Sequence, residues 1–91
     1  MLIISYDISD NKLRTQFSKF LSAYGYRLQY SVFDIENSAR MIDNITSQIE
    51  GRFMKKFSNS DSVIMFKIKN EDDIIRYGYA KNDEKDMIVI F

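Results

Sequence analysis

Leu2-Ile3-Ile4-Ser5-Tyr6-Asp7 is an apolar run closed by a carboxylate. Its apolar residues follow one another without strict alternation, so it reads as a strand buried on both faces. Just beyond it, Ser9 or Asp10 is placed to cap a helix, a side-chain oxygen accepting from backbone N–H groups that lack helical partners. Leu13, Phe17, Phe20, Leu21 and Tyr24 then recur at the spacing of one helical stripe. Gly25 is expected to stop that helix by taking the left-handed conformation.

Outward from this unit, a second strand begins near Tyr26. Leu28, Tyr30 and Val32 share one face, and Phe33 and Ile35 carry the apolar phase on the other. The slip implies a bulge or bend near Val32-Phe33, in one bent strand or two short ones. Asn37 or Ser38 opens a second helix with Met41, Ile42, Ile45, Ile49 and Phe53 as its stripe. Arg52, Lys55 and Lys56 fall where a helix carboxyl end favours cations. After the turn cluster Ser58-Asn59-Ser60, Asp61 to Lys69 reads as a strand with Ile64, Phe66 and Ile68 on one face. A shorter strand is expected from Ile74 to Tyr79, then a charged turn from Asn82 to Asp86.

Strands and helices alternate at first, and strands then follow one another. The pattern predicts an α+β chain with a ferredoxin-like sheet and two helices on one face. Residues 1–91 read as a single domain, with about 1–80 as its core and 81–91 as a turn and a C-terminal strand. That strand, Met87-Ile88-Val89-Ile90-Phe91, carries no charge and would be an exposed edge if left free. It is therefore expected to pair with a partner subunit's sheet, which makes the protein a homodimer.

Composition narrows the chemistry. Of the 91 residues 45% are hydrophobic, 14% are aromatic and none is Pro, which argues for a folded chain. Thirteen basic and thirteen acidic residues balance, so any nucleic-acid binding has to come from local patches. Cys and His are both absent, which excludes disulfides, the usual zinc sites, thiol nucleophiles and imidazole bases. Hydrolysis would need a metal-bound water or an unusual base. The first apolar stretch has no positive flank and is too short for a signal peptide or membrane span. The chain reads as cytoplasmic, with no membrane partner.

Asp7 is the first candidate for chemistry, because ligand sites in open sheets lie beyond the carboxyl ends of strands. The plain alternative is that it caps the next turn. One carboxylate holds Mg²⁺ poorly, since the ion wants six oxygens and keeps several waters. A twofold axis beside the strand end would add a second Asp7. Mg²⁺ held there would polarise a phosphate and acidify its own water. Asp10 reads first as a helix cap, and Tyr6 and Tyr30 read as core. Lys12, Arg14 and Lys19 lie on the polar side of the first helix, Arg27 opens the second strand and Lys81 follows the fourth. Singly each is a solvated surface charge. Together, Lys12, Arg14, Arg27 and Lys81 make a ridge that tracks a nucleic-acid backbone, doubled by dimerisation.

These stretches resemble the small CRISPR-associated Cas2 family. Ile3-Ile4-Ser5-Tyr6-Asp7-Ile8-Ser9-Asp10 is similar to that family's first strand with its metal-binding Asp. Arg14 falls where members place basic residues, and Gly25-Tyr26-Arg27-Leu28-Gln29-Tyr30-Ser31-Val32-Phe33 resembles the family's most specific segment, G-x-R-x-Q-x-S-V-F. Asp61-Ser62-Val63-Ile64-Met65-Phe66 resembles the family's third strand, and the apolar tail a dimer-exchanging last strand. The chain departs from some relatives after Ile68, and Tyr77-Gly78-Tyr79-Ala80-Lys81-Asn82 is similar to versions found beside integrases of some single-effector CRISPR systems.

The resemblance implies a ferredoxin-like homodimer whose two Asp7 residues face each other across the axis. It implies a protein of spacer acquisition that sits between integrase subunits and holds protospacer double-stranded DNA. It equally implies a Mg²⁺-dependent endonuclease, acting on RNA or DNA with Asp7 as catalytic and metal-binding residue. A toxin-type ribonuclease lies close to that second reading. A metabolite-binding regulatory module is the competitor from another class, and no glycine-rich loop speaks for it.

Overall fold

The strand Leu2–Asp7 (β1) lies inside the sheet, with a neighbour on each side. The computed structural model describes residues 1–78. Within them, β1 is followed by α1 (Asn11–Ser22), β2 (Gly25–Gln29), β3 (Val32–Ile35), α2 (Ala39–Gln48) and β4 (Ser62–Lys67). The four strands make one antiparallel sheet in the order β2-β3-β1-β4. The α+β, ferredoxin-like expectation is borne out. Lys81 and the expected tail strand Met87–Phe91 lie outside the described residues.

The helices supply the core for one sheet face. Leu2, Ile4 and Tyr6 of β1 and Phe33 and Ile35 of β3 pack with Leu13, Phe17 and Leu21 of α1 and Ile45 of α2. Phe17 sits at the centre, edge-on to Tyr6 at 5.0 Å and to Phe53 at 4.9 Å between ring centroids. Tyr6 is thus core, as expected. Both helices start on side-chain caps: Asp10 Oδ2 accepts from the Leu13 N–H at 2.8 Å, and Ser38 Oγ from the Met41 N–H at 3.2 Å. Removing either cap costs about 1 kcal/mol.

Beyond α2 the helix widens into a π turn, Ile49–Phe53, then a 3₁₀ turn, Met54–Lys56. The sequence carries the reason. Ile45, Ile49 and Phe53 are spaced by four residues, and in a strict α-helix each such step rotates the side chain by about 40° away from the core. A wider turn absorbs that drift, and all three residues are buried.

Gly25 does not stop α1. The helix ends at Ala23, in right-handed conformation, and Gly25 is the first residue of β2. Its small size matters for a different reason: a Cβ there would lie 2.0 Å from the Asp34 carbonyl oxygen and 2.8 Å from the Ile35 Cα. The backbone of β3 runs against it.

The irregularity expected at Val32-Phe33 also resolves differently. Tyr30 and Ser31 form a turn, so β2 and β3 are two strands of a hairpin, and the phase change in the sequence is the chain reversal itself. The bulge falls earlier, at Leu28, between the pairs Arg27↔Phe33 and Gln29↔Val32. Tyr30 stands at the hairpin tip, 76% exposed, and is not core.

In β4, Val63 and Met65 face the helices, and Ile64 and Phe66 share the opposite face. Met1 and Ile68 exchange two hydrogen bonds of 2.8 Å that extend the β1–β4 ladder. The strand expected from Ile74 is not formed over the described residues. Instead Asn70 caps a 3₁₀ turn at Glu71–Asp73, its side chain accepting from the Asp72 N–H at 3.0 Å, and residues 74–77 are irregular. This segment borders the second sheet face. Arg76 approaches Asp34 to 3.9 Å, and Asp34 is only 3% exposed. Ile3, Val32, Phe66, Ile75 and Tyr77 help line a groove of about 420 Å³ there. Among the described residues, no helix is long and apolar enough to cross a membrane.

Candidate functional site

The β1–β4 ladder closes at the pair Asp7↔Ser62, which sets Asp7, exposed, at the carboxyl end of β1. Three carboxylates gather around this end of the sheet, and they differ in what holds them. Asp10 accepts from Leu13 as the cap of α1. Asp61, just before β4, takes the Ser9 N–H at 2.9 Å and the Ser9 hydroxyl at 3.0 Å on Oδ1, and the Ser58 N–H at 2.8 Å on Oδ2. Those bonds, the Ser9 N–H foremost, stabilise its charged form and hold its carboxyl below the usual carboxylate range. Asp7, by contrast, has no hydrogen bond or ion pair to any described residue. It is the carboxylate left available.

Arg14 lies one turn into α1 and faces the same loop. Its Nη1 donates to the carbonyls of Ile8 at 2.9 Å and Ser9 at 3.4 Å, and its Nη2 donates to Asn11 Oδ1. The loop between Asp7 and α1 is therefore tied at its carbonyls by Arg14 and at a backbone N–H by Asp61.

The basic residues expected along a nucleic-acid backbone are only partly brought together. Lys12 is exposed in the first turn of α1 and lines a depression of about 220 Å³ with Asp10, Leu13, Gln16 and Lys56. Sequence reading assigned Lys56 to a helix end, and only the fold sets it beside Lys12. Arg27 projects from β2 onto the later part of α1, its Nη2 donating to Ser18 Oγ and its guanidinium 5.2 Å from the Phe33 ring centroid. Lys12 and Arg14 thus belong to the Asp7 end, and Arg27 to the flank of the sheet.

No group of three or more Asp, Glu, His or Cys side chains able to hold a metal occurs among the described residues. At this end of the sheet Asp7 is the one carboxylate without a partner among the described residues, and one carboxylate supplies only part of the six-oxygen shell that an ion such as Mg²⁺ takes with waters and phosphate oxygens. The pairing of Asp61 with Ser9 was not legible in the sequence: Asp61 read only as the start of a strand and Ser9 as a candidate helix cap, 52 residues apart.

Comparison with known proteins adds the following. The family model described as CRISPR associated protein Cas2 matches residues 1–74. "CRISPR-associated endoribonuclease Cas2 3" of Chloroflexus aurantiacus is 45% identical over 47 residues, which is 52% of this chain and 50% of that relative. The chain thus spans about half the length of that relative in the match. "CRISPR-associated endoribonuclease Cas2" of Mycobacterium tuberculosis is 28% identical over 90 residues, 99% of this chain and 76% of that one. Among solved structures, Cas2 of Streptococcus pyogenes has a similar fold, with a TM-score of 0.69 at 19% identity, covering 85% of this chain and 98% of that one.

Proposed function

The chain belongs to the CRISPR-associated Cas2 family, and from that premise we propose that it works in spacer acquisition as a homodimer that bridges integrase subunits and holds protospacer double-stranded DNA. The second sheet face is the observation that carries the dimer. Ile64 is 53% exposed, Phe66 46% and Tyr77 80%, beside the apolar groove at Ile3 and Val32. Large apolar side chains grouped on one open sheet face mark an association surface, and twofold pairing is the commonest way to cover one. Lys12, Arg14, Arg27 and Lys81, each present twice, would then supply phosphate contacts whose strength falls with salt.

The test is DNA binding by the integrase-bound complex across a salt series. Lys12→Glu should weaken binding without changing the fold, since Lys12 is exposed. Arg14→Glu should weaken it too, but is the less clean variant because it also releases Ile8 and Ser9. Binding that does not respond to salt counts against the backbone ridge.

A second reading, hydrolysis of RNA or DNA, is favoured by one observation: Asp7 alone among the three carboxylates at its end is unengaged by the described residues. Asp7 from both subunits would hold Mg²⁺. When bound, the ion supplies a polarised phosphate and a more acidic water, chemistry that a chain without His or Cys otherwise lacks. The chain's own part is to present that carboxylate on a tied loop and to hold the phosphate backbone with Lys12. Cleavage measured in Mg²⁺ and in chelator should disappear in Asp7→Asn, and cleavage unchanged by that substitution excludes the carboxylate mechanism. DNA holding should survive Asp7→Asn, which separates the two readings.

A further inference from the structure

Backbone pairing between β1 and β4 stops at Asp7↔Ser62, yet the two chains stay joined one step further. Asp61 reaches past the last backbone pair to the Ser9 N–H and hydroxyl, at 2.9 and 3.0 Å. The carboxylate that does this is itself fixed. Its Oδ2 accepts from the Ser58 N–H at 2.8 Å, and its own N–H donates to the Ser58 carbonyl at 3.1 Å, so the turn before β4 closes on both sides. Asp7 consequently lies between two anchored points, the β1–β4 ladder on one side and the Ser9 grip on the other.

We propose that Asp61 is a positioning residue for Asp7, a side-chain rung that continues the ladder and fixes the backbone at the sheet's rim from which the exposed Asp7 carboxylate projects. The inference rests on the reading of Asp7 as an ion ligand and deepens it. Strand ends fray where hydrogen bonds run out, and a divalent ion with strict geometry loses affinity for a ligand that wanders. Charge-assisted bonds to backbone N–H groups are the stronger kind, and Asp61 makes two of them to separate loops. Arg14 engages the same loop through its carbonyls, so the two side chains act on complementary groups.

The experiment is solution NMR on the full chain, comparing the parent protein with Asp61→Ala and Asp61→Asn. In Asp61→Ala, exchange of the Ser9 amide should accelerate about tenfold. The backbone couplings of Asp7 should move toward the average of an unstructured chain. Asp61→Asn keeps the volume and one acceptor oxygen, so it should fall between and serves if the alanine variant does not fold. Titration with Mn²⁺, read at the Asp7 signals, should show about tenfold weaker binding in Asp61→Ala. Unchanged Asp7 couplings beside a deprotected Ser9 would overturn the proposal, since the clamp would then hold the loop and leave Asp7 indifferent. Equal Mn²⁺ affinity in the parent and in Asp7→Asn would overturn the ion-ligand reading instead, because the backbone measurement needs no ion.

Discussion

On one face of the sheet, Leu2, Ile4, Tyr6, Phe33 and Ile35 lie under the helices and are almost fully buried; on the other, Ile64 and Phe66 are about half exposed. The residue types are alike, and β1 sends apolar side chains both ways. Only one face is completed by the described chain. The other is bordered by the segment after β4, and its single buried charge among the described residues, Asp34, meets Arg76. The difference is one of closure: one face is sealed by the helices, and among the described residues the other keeps large apolar side chains open.

The sharpest way to break this comparison is to damage the closed face. Phe17→Ala removes a fully buried ring in contact with Tyr6 and Phe53, and should cost about 4 kcal/mol in denaturant unfolding. A loss below about 1 kcal/mol would mean that the helix-covered layer is not the main support.

Next in size is the charge on the second face. Arg76→Ala removes a cation facing a buried carboxylate and should cost about 2 kcal/mol, seen as a lower unfolding midpoint. A neutral result would detach the segment after β4 from the fold's support.

Phe66→Ala on the open face should change unfolding of the single chain by less than about 0.5 kcal/mol. Sedimentation should nevertheless show weaker self-association. If it lowers stability as much as Phe17→Ala, the two faces are not different in kind.

The smallest effect is at the sheet's rim. Asp61 has its pKa lowered in the fold, so its stabilising contribution is fully present above the unfolded carboxylate value, about 3.9. It fades as the pH falls further, through the folded value. The stability difference between the parent and Asp61→Asn should therefore be constant near neutrality and shrink only in acid. A difference that instead changes between pH 6 and 8 would point to another group.

The elements were legible wherever local pattern governs. The stripe Leu13, Phe17, Leu21 gave α1, the caps Asp10 and Ser38 gave the helix starts, and Asp7 fell at the carboxyl end of a strand as expected. Two readings failed for a shared reason: Gly25 as a helix stop and a strand from Ile74 each inferred backbone geometry from one segment without its neighbour. The slip at Val32-Phe33 left one bent strand or two short ones open, and the structure has the two. Gly25 is explained by the approach of Asp34 and Ile35, and the bend by a hairpin turn. At the candidate site, the contrast among Asp7, Asp10 and Asp61 was invisible in the sequence, because carboxylates of one type look alike until their hydrogen-bond partners are placed.

Alone, the order of residues determined periodicity, caps and the exclusion of imidazole and thiol chemistry, since these depend on side-chain type and on neighbours within a few positions. The tertiary structure decided which apolar face is covered, which charge is buried and which carboxylate is free. Each of those turns on contacts between distant segments, such as the 52 residues between Ser9 and Asp61, and only folding brings such groups within hydrogen-bonding distance.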